Sequence, residues 1–152
     1  MEPISPSAVR FLDIRLQDLH EFDYEISEVV YSKFLDAFQD LNPLHVDQVF
    51  AQEKGFLGKV MHGAILNGFV SHFVGVVFPG KDSLLLSVDM RYLNPSYLGD
   101  KIRLSATVSQ LVESQKVVVL SFKIWNFQQQ QFVANARVQV AVRSEVEALN
   151  EG

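Results

Sequence analysis

The stretch from Met61 to Phe78 decides most of what this chain can fold into. Ala64, Ile65, Leu66, Phe69, Val70, Phe73, Val74, Val76 and Val77 place apolar side chains on every side of a helix drawn through it. A helix apolar all round is expected to be buried all round. The run from Ala64 to Phe78 holds Asn67, Ser71 and His72 and is too short to cross a bilayer, so protein must surround it. Pro79-Gly80 ends it. The second half of the chain has the right character for a wrapping. Leu84 to Leu93, Lys101 to Val112, Lys116 to Phe127 and Phe132 to Val142 are runs rich in Val, Leu, Ile and Phe. Asn94-Pro95, Gly99-Asp100, Glu113-Ser114 and Gln128 to Gln131 separate them, which reads as an antiparallel sheet with tight turns.

Upstream, Phe22, Tyr24 and Ile26 alternate with Asp23, Glu25 and Ser27, predicting a short half-buried strand. Ser27 then caps a helix with Glu28 in its first turn. Its apolar stripe is Val30, Phe34, Ala37 and Phe38, and it should stop near Gln39, before Asn42-Pro43. A short helix from about Asp47 to Lys54 ends at Gly55. The order predicts an α+β fold: an antiparallel sheet wrapped around one long helix. Two free sheet edges invite pairing with a second copy.

Composition narrows the function classes. A chain of 152 residues, 48% hydrophobic and 20% charged, is long enough for one domain over 1–152. Its core is expected over about 16–143, with a polar acidic tail at 144–152. The net charge of −5 and the lack of any Lys or Arg run argue against nucleic-acid binding. Without cysteine, disulfides, thiolate metal sites and cysteine nucleophiles are out. The start, Met1-Glu2-Pro3-Ile4-Ser5-Pro6, is unlike a signal peptide. The expectation is a cytoplasmic protein without membrane insertion. Twelve Phe point to a large apolar interior, or to something large and apolar that it encloses.

One window is chemically unusual. It reads Asp40-Leu41-Asn42-Pro43-Leu44-His45-Val46-Asp47, followed by Met61-His62-Gly63-Ala64. A carboxylate and an imidazole on one proline-containing turn can converge on a single water, the minimum for general acid–base work. The plainer reading makes Asp40 and Asn42 turn formers. Gly63 at the start of the buried helix leaves an oriented backbone N–H without an intrahelical partner, the makings of an oxyanion site. Its plainer reading is a helix starter. His62 is read as a structural histidine bonding a loop carbonyl. His45 and Asp40 alone, with no third ligand nearby, make a poor metal site.

Asp40-x-Asn42-Pro43-Leu44-His45-x-Asp47, Phe56, His62-Gly63, Phe78-Pro79-Gly80 and Arg91-Tyr92-Leu93-x-Pro95-x-x-x-Gly99-Asp100 together resemble the MaoC-like hydratases. These are (R)-specific 2-enoyl-CoA hydratases of the hot-dog fold, and the likeness spans roughly Phe22 to Val142. The resemblance implies that Asp40 and His45 are the catalytic pair, holding the water that adds to C3 of a trans-2-enoyl thioester. It implies that the Gly63 N–H receives the thioester oxygen, that Ser71 supports Asp40, and that Asn42 shapes the turn and touches the water. It further implies an apolar acyl tunnel beside the central helix, a homodimer with the two central helices packed together, and no cofactor or metal. Gln39, where glycine is common, and Ala64, where methionine is usual, depart from the pattern.

The same scaffold also carries acyl-carrier-protein dehydratases and thioesterases, and non-catalytic acyl-binding subunits. The Asp40 to His45 turn argues against the thioesterase. Lys59, Lys81, Arg91 and Arg103 suit a carrier protein, the phosphates of CoA, or merely a solvated surface.

Overall fold

The computed structural model describes residues 1–144. The tail expected over 144–152 lies, apart from Ser144, outside the described residues. After a 3-10 turn at Phe11–Asp13 comes strand β1 (Leu19–Glu25), then helices α1 (Glu28–Phe38), α2 (Pro43–Val46), α3 (Gln48–Glu53) and α4 (Ala64–His72). A π-helical segment, Phe73–Val77, extends α4. Strands β2 (Ser83–Tyr92), β3 (Lys101–Val112), β4 (Val117–Asn126) and β5 (Gln131–Val142) complete the chain. The sheet order is β1-β3-β4-β5-β2, antiparallel throughout. This is the α+β arrangement that the patterning predicts.

The inner face of the sheet carries Ile102, Leu104, Ala106 and Val108 from β3, with Leu120, Phe122 and Ile124 from β4. These meet Ile65, Leu66, Phe69, Val70, Phe73 and Val74 of the central helix in one core. Strand bounds fall within a few residues of the expected ones, because the period-2 pattern and the turn residues both mark them. Tyr97 to Asp100 closes the β2–β3 connection around a buried pair. The Asp100 carboxylate accepts from Asn126 Nδ2 at 2.6 Å and from the Tyr97 N–H at 2.9 Å.

Two expectations need correction. The central helix does not run from Met61. The Met61 N–H donates to the Ser96 carbonyl, and Val60 bridges Tyr97, so these residues are drawn into sheet-like pairing and α4 starts at Ala64. Nor is α4 buried on all sides within one chain. Ala64, Gly68 and Ser71 form an exposed strip of small residues, while the large side chains are segregated to the sheet side. Hydropathy counts alanine and glycine as apolar, so the segregation by size is invisible to it. The helix expected over about Asp47 to Lys54 is α3, with those two residues as its caps. The Asp47 carboxylate caps α3 by accepting from the Phe50 N–H at 3.0 Å, and the Pro43 turn before it is helical in its own right. Proline suits the first position of such a turn.

Both ends of the sheet are free: β1 on one side and β2 on the other. Leu84 and Leu86 on β2 are exposed. Among the described residues no helix is long and apolar enough to cross a membrane.

Candidate active site

Asp40 owes its position to the end of α1. Gln39 takes a left-handed conformation (φ 55°), which reverses the chain. Glycine is favoured at such a position, and here Gln39 holds it with its own side chain, Nε2 donating to the Leu35 and Asp36 carbonyls. The departure from the pattern at Gln39 thus keeps the geometry. One Asp40 carboxylate oxygen then accepts from the Asn42 N–H at 3.2 Å, and Asn42 Oδ1 accepts from the Leu44 N–H at 3.0 Å to cap α2. Asn42 therefore shapes the turn, as expected.

His45 is held at three points. Its Nδ1 donates to the Val60 carbonyl at 2.7 Å. Its own carbonyl accepts from the Tyr31 hydroxyl at 2.7 Å, and the Leu44 carbonyl accepts from the Val60 N–H. With a carbonyl as partner, Nδ1 must carry the ring proton, so Nε2 bears the lone pair. That nitrogen lies 3.8 Å from Asp40 Oδ2. The gap is too long for a direct hydrogen bond and of the size that one water bridges.

His62, buried, donates from Nε2 to the main-chain carbonyl of Asp40 at 2.9 Å and stacks against His45 with ring centroids 3.9 Å apart. It does what a structural histidine was expected to do. Its other nitrogen, Nδ1, is buried without a partner among the described residues. His62 also brings Asp40, His45 and itself within 4.8 Å of one another, so a third potential ligand is present after all. In this tautomer His62 Nε2 carries the proton and offers a cation no lone pair, which sits instead on the buried Nδ1.

Gly63 precedes α4. Its N–H finds no acceptor among the described residues, as an oxyanion donor requires. The need for glycine has a further cause that sequence reasoning missed. A Cβ here would lie 2.9 Å from Tyr92 Cε1. The Tyr92 hydroxyl donates to Asn67 Oδ1 at 2.6 Å, which fixes the ring beside the helix start. Tyr92 comes from β2, and no local spacing signals a strand-to-helix contact of this kind.

Ser71 is not brought to the pair. It sits on the exposed strip of α4, and no hydrogen bond joins it to Asp40. Asp40 borders the same cavity as Ala64, Asn67 and Gly68 of the helix. Of the basic residues, Arg103 is committed to Asp23, with Nε donating at 2.7 Å, and Lys59 lies over the Tyr31 ring.

Two cavities meet at Ala64. One, about 570 Å³, is lined by His45, Phe56, Gly63, Tyr92, Asn94 and Ser96 among others. The other, about 880 Å³, is walled by Phe34, Phe38, Ile65 and Phe69 and bordered by Asp40. Its side chains also include Tyr24 and His72, whose Tyr24 hydroxyl and His72 Nδ1 are 2.9 Å apart. Burial pushes the Tyr24 phenol far above its ordinary pKa and His72 below its own.

The family model described as MaoC like domain matches residues 18–142. An (R)-specific enoyl-CoA hydratase of Aeromonas caviae is 31% identical over 92 residues, 60% of this chain and 69% of the relative. One from Rhodospirillum rubrum is 30% identical over 108 residues, 71% and 75% of the two chains. The unliganded R-hydratase PhaJ1 of Pseudomonas aeruginosa superposes with a TM-score of 0.83 at 21% identity, covering 93% of this chain and 90% of that one.

Proposed function

The chain belongs to the MaoC-like domain family, and from that premise we propose that it is a hydro-lyase that reversibly hydrates trans-2-enoyl-CoA to (R)-3-hydroxyacyl-CoA. The observation that carries the reading is the pairing of His45 Nε2 with Asp40 Oδ2 across 3.8 Å, beside a Gly63 N–H that has no acceptor among the described residues. A water between the two side chains is oriented by Asp40 and loses a proton to His45 Nε2 as its oxygen attacks C3. The electron pair of the C2–C3 double bond moves toward the thioester oxygen, where the Gly63 N–H receives the developing charge. The proton held by the pair then goes to C2, so hydroxyl and hydrogen are added with no net change in the enzyme. The general acid–base pair supplies on the order of 10²–10⁴ in rate.

The meeting of the cavities at Ala64 supports a division of the substrate. The acyl chain lies among Phe34, Phe38 and Phe69, and the carrier arm leaves past Asn94 and Ser96. In the same reading the whole chain 1–152 forms one domain and works in the cytoplasm as a homodimer. A second copy pairs edge to edge with the sheet along β2, where Leu84 and Leu86 are exposed.

Incubation with crotonyl-CoA tests the reading. The enoyl absorbance should fall, the product should be the (R)-3-hydroxy thioester, and no free thiol should appear. Thiol release without hydration would make the protein a thioesterase. Faster turnover of the same acyl group on a carrier protein would make it a carrier-protein dehydratase. A folded protein that turns over neither would be a non-catalytic acyl-binding subunit.

A further inference from the structure

The large apolar cavity ends in polar groups that the hydration chemistry does not use. Ala64, Gly68 and His72 lie on successive turns of α4 and all face this cavity. The first two carry almost no side chain, so they leave a lane along the helix from Asp40 toward His72. Two helical turns make that lane about 11 Å long. Its flanks are Phe34, Phe38 and Phe69. At the far end the Tyr24 ring stacks on Phe69, with centroids 4.6 Å apart, and its hydroxyl meets His72 Nδ1 at 2.9 Å.

The surroundings set the direction of that hydrogen bond. Burial keeps the phenol protonated and the imidazole neutral. Tyr24 therefore donates to Nδ1, and the proton of the neutral ring resides on Nε2. Nε2 has no partner among the described residues. An acyl chain ending there in a methyl group would cover an N–H donor without satisfying it, a costly arrangement. A chain ending in an oxygen would satisfy it.

We infer that Tyr24 and His72 form a polar subsite at the far end of the acyl cavity, selecting enoyl thioesters that carry a hydroxyl or oxo oxygen about 11 Å beyond C3. This rests on the proposed hydratase reading and specifies its substrate class. His72 Nε2 is the donor to that oxygen, and Tyr24 is the positioning residue that fixes the imidazole tautomer.

The test compares three substrates on the intact protein: crotonyl-CoA, trans-dodec-2-enoyl-CoA and its terminal hydroxy derivative. The hydroxy substrate should have roughly tenfold higher kcat/KM than the methyl-terminated one, mostly through KM, the worth of one hydrogen bond. His72→Phe should reverse the preference, and Tyr24→Phe should weaken it. The wild-type ratio needs no variant to fold. Equal rates, or preference for the methyl-terminated chain, with crotonyl-CoA still hydrated, would overturn the subsite alone. Hydration of none of the three would overturn the hydratase reading and the subsite with it.

Discussion

At the residue scale, His62 couples the two catalytic candidates. One nitrogen holds the Asp40 carbonyl while the ring packs against His45, tilted by 32°. His62→Phe keeps the packing and removes the bond. It should lower kcat by at least about tenfold with little change in KM, because it displaces the water-holding groups and not the acyl cavity. Steady-state kinetics on crotonyl-CoA measure the split, and a pure KM effect would contradict the role. Gly63→Ala would drive a Cβ to 2.9 Å from the Tyr92 ring. It should cost roughly tenfold or more in kcat/KM, and Tyr92→Ala in the same chain should restore part of the loss. The approach of Asp40 to His45 was legible because both sit on one short proline-containing turn, where a carboxylate and an imidazole can converge. Tyr92 and Asn67 were not, since their meeting depends on how β2 lies against α4. Ser71 shows the converse: a residue matched by position in a motif sits on an open helix face in the single chain.

At the element scale, the strands were legible because each has both a period and a stop. The helices were less so. The helix capped by Asp47 was marked by Gly55 at its end, but the short helical turn of α2 before it carried no apolar period to reveal it. Val60 and Met61 leave the helical pattern because Leu44, Ser96 and Tyr97 offer them sheet-like partners from elsewhere in the chain. The Gly99-Asp100 turn was visible as a motif, but its partner on β4 was not. Asp100→Ala strands Asn126 Nδ2 and the Tyr97 N–H in a buried site. It should destabilise the protein by about 2–3 kcal/mol. Urea unfolding measures the change. Stability within about 0.5 kcal/mol of wild type would mean that the pair ties nothing together.

At the scale of the molecule, the Phe residues serve in ways that composition could not separate. Phe73, Phe78 and Phe122 are buried in the core, Phe34 and Phe38 wall a cavity, and Phe69 does both. The exposed Leu84 and Leu86 on the free β2 edge make a claim about assembly. Leu84 is 61% exposed in the single chain, so Leu84→Arg should fold. It should also block a second copy, shifting light scattering from dimer to monomer; an unchanged dimer would place the contact elsewhere. Stability should depend on pH through His20 and His72, which burial keeps neutral, each below the ordinary value of 6.5. The unfolded chain then binds more protons in mildly acidic solution. This contribution is whole above about pH 6.5 and is lost as the pH falls toward the folded values. The Tm should therefore drop between pH 7 and 5, and less so in a His20→Asn, His72→Asn double variant. An equal drop in both proteins would assign the effect to other groups. Whether Asp40 and His45 carry out the hydration is decided by the rate at which the enoyl absorbance of crotonyl-CoA disappears in wild type, Asp40→Asn and His45→Gln. Rapid loss is expected in the wild type, with rates on the order of 10³-fold lower in each variant. Wild-type rates in both variants would contradict the assignment.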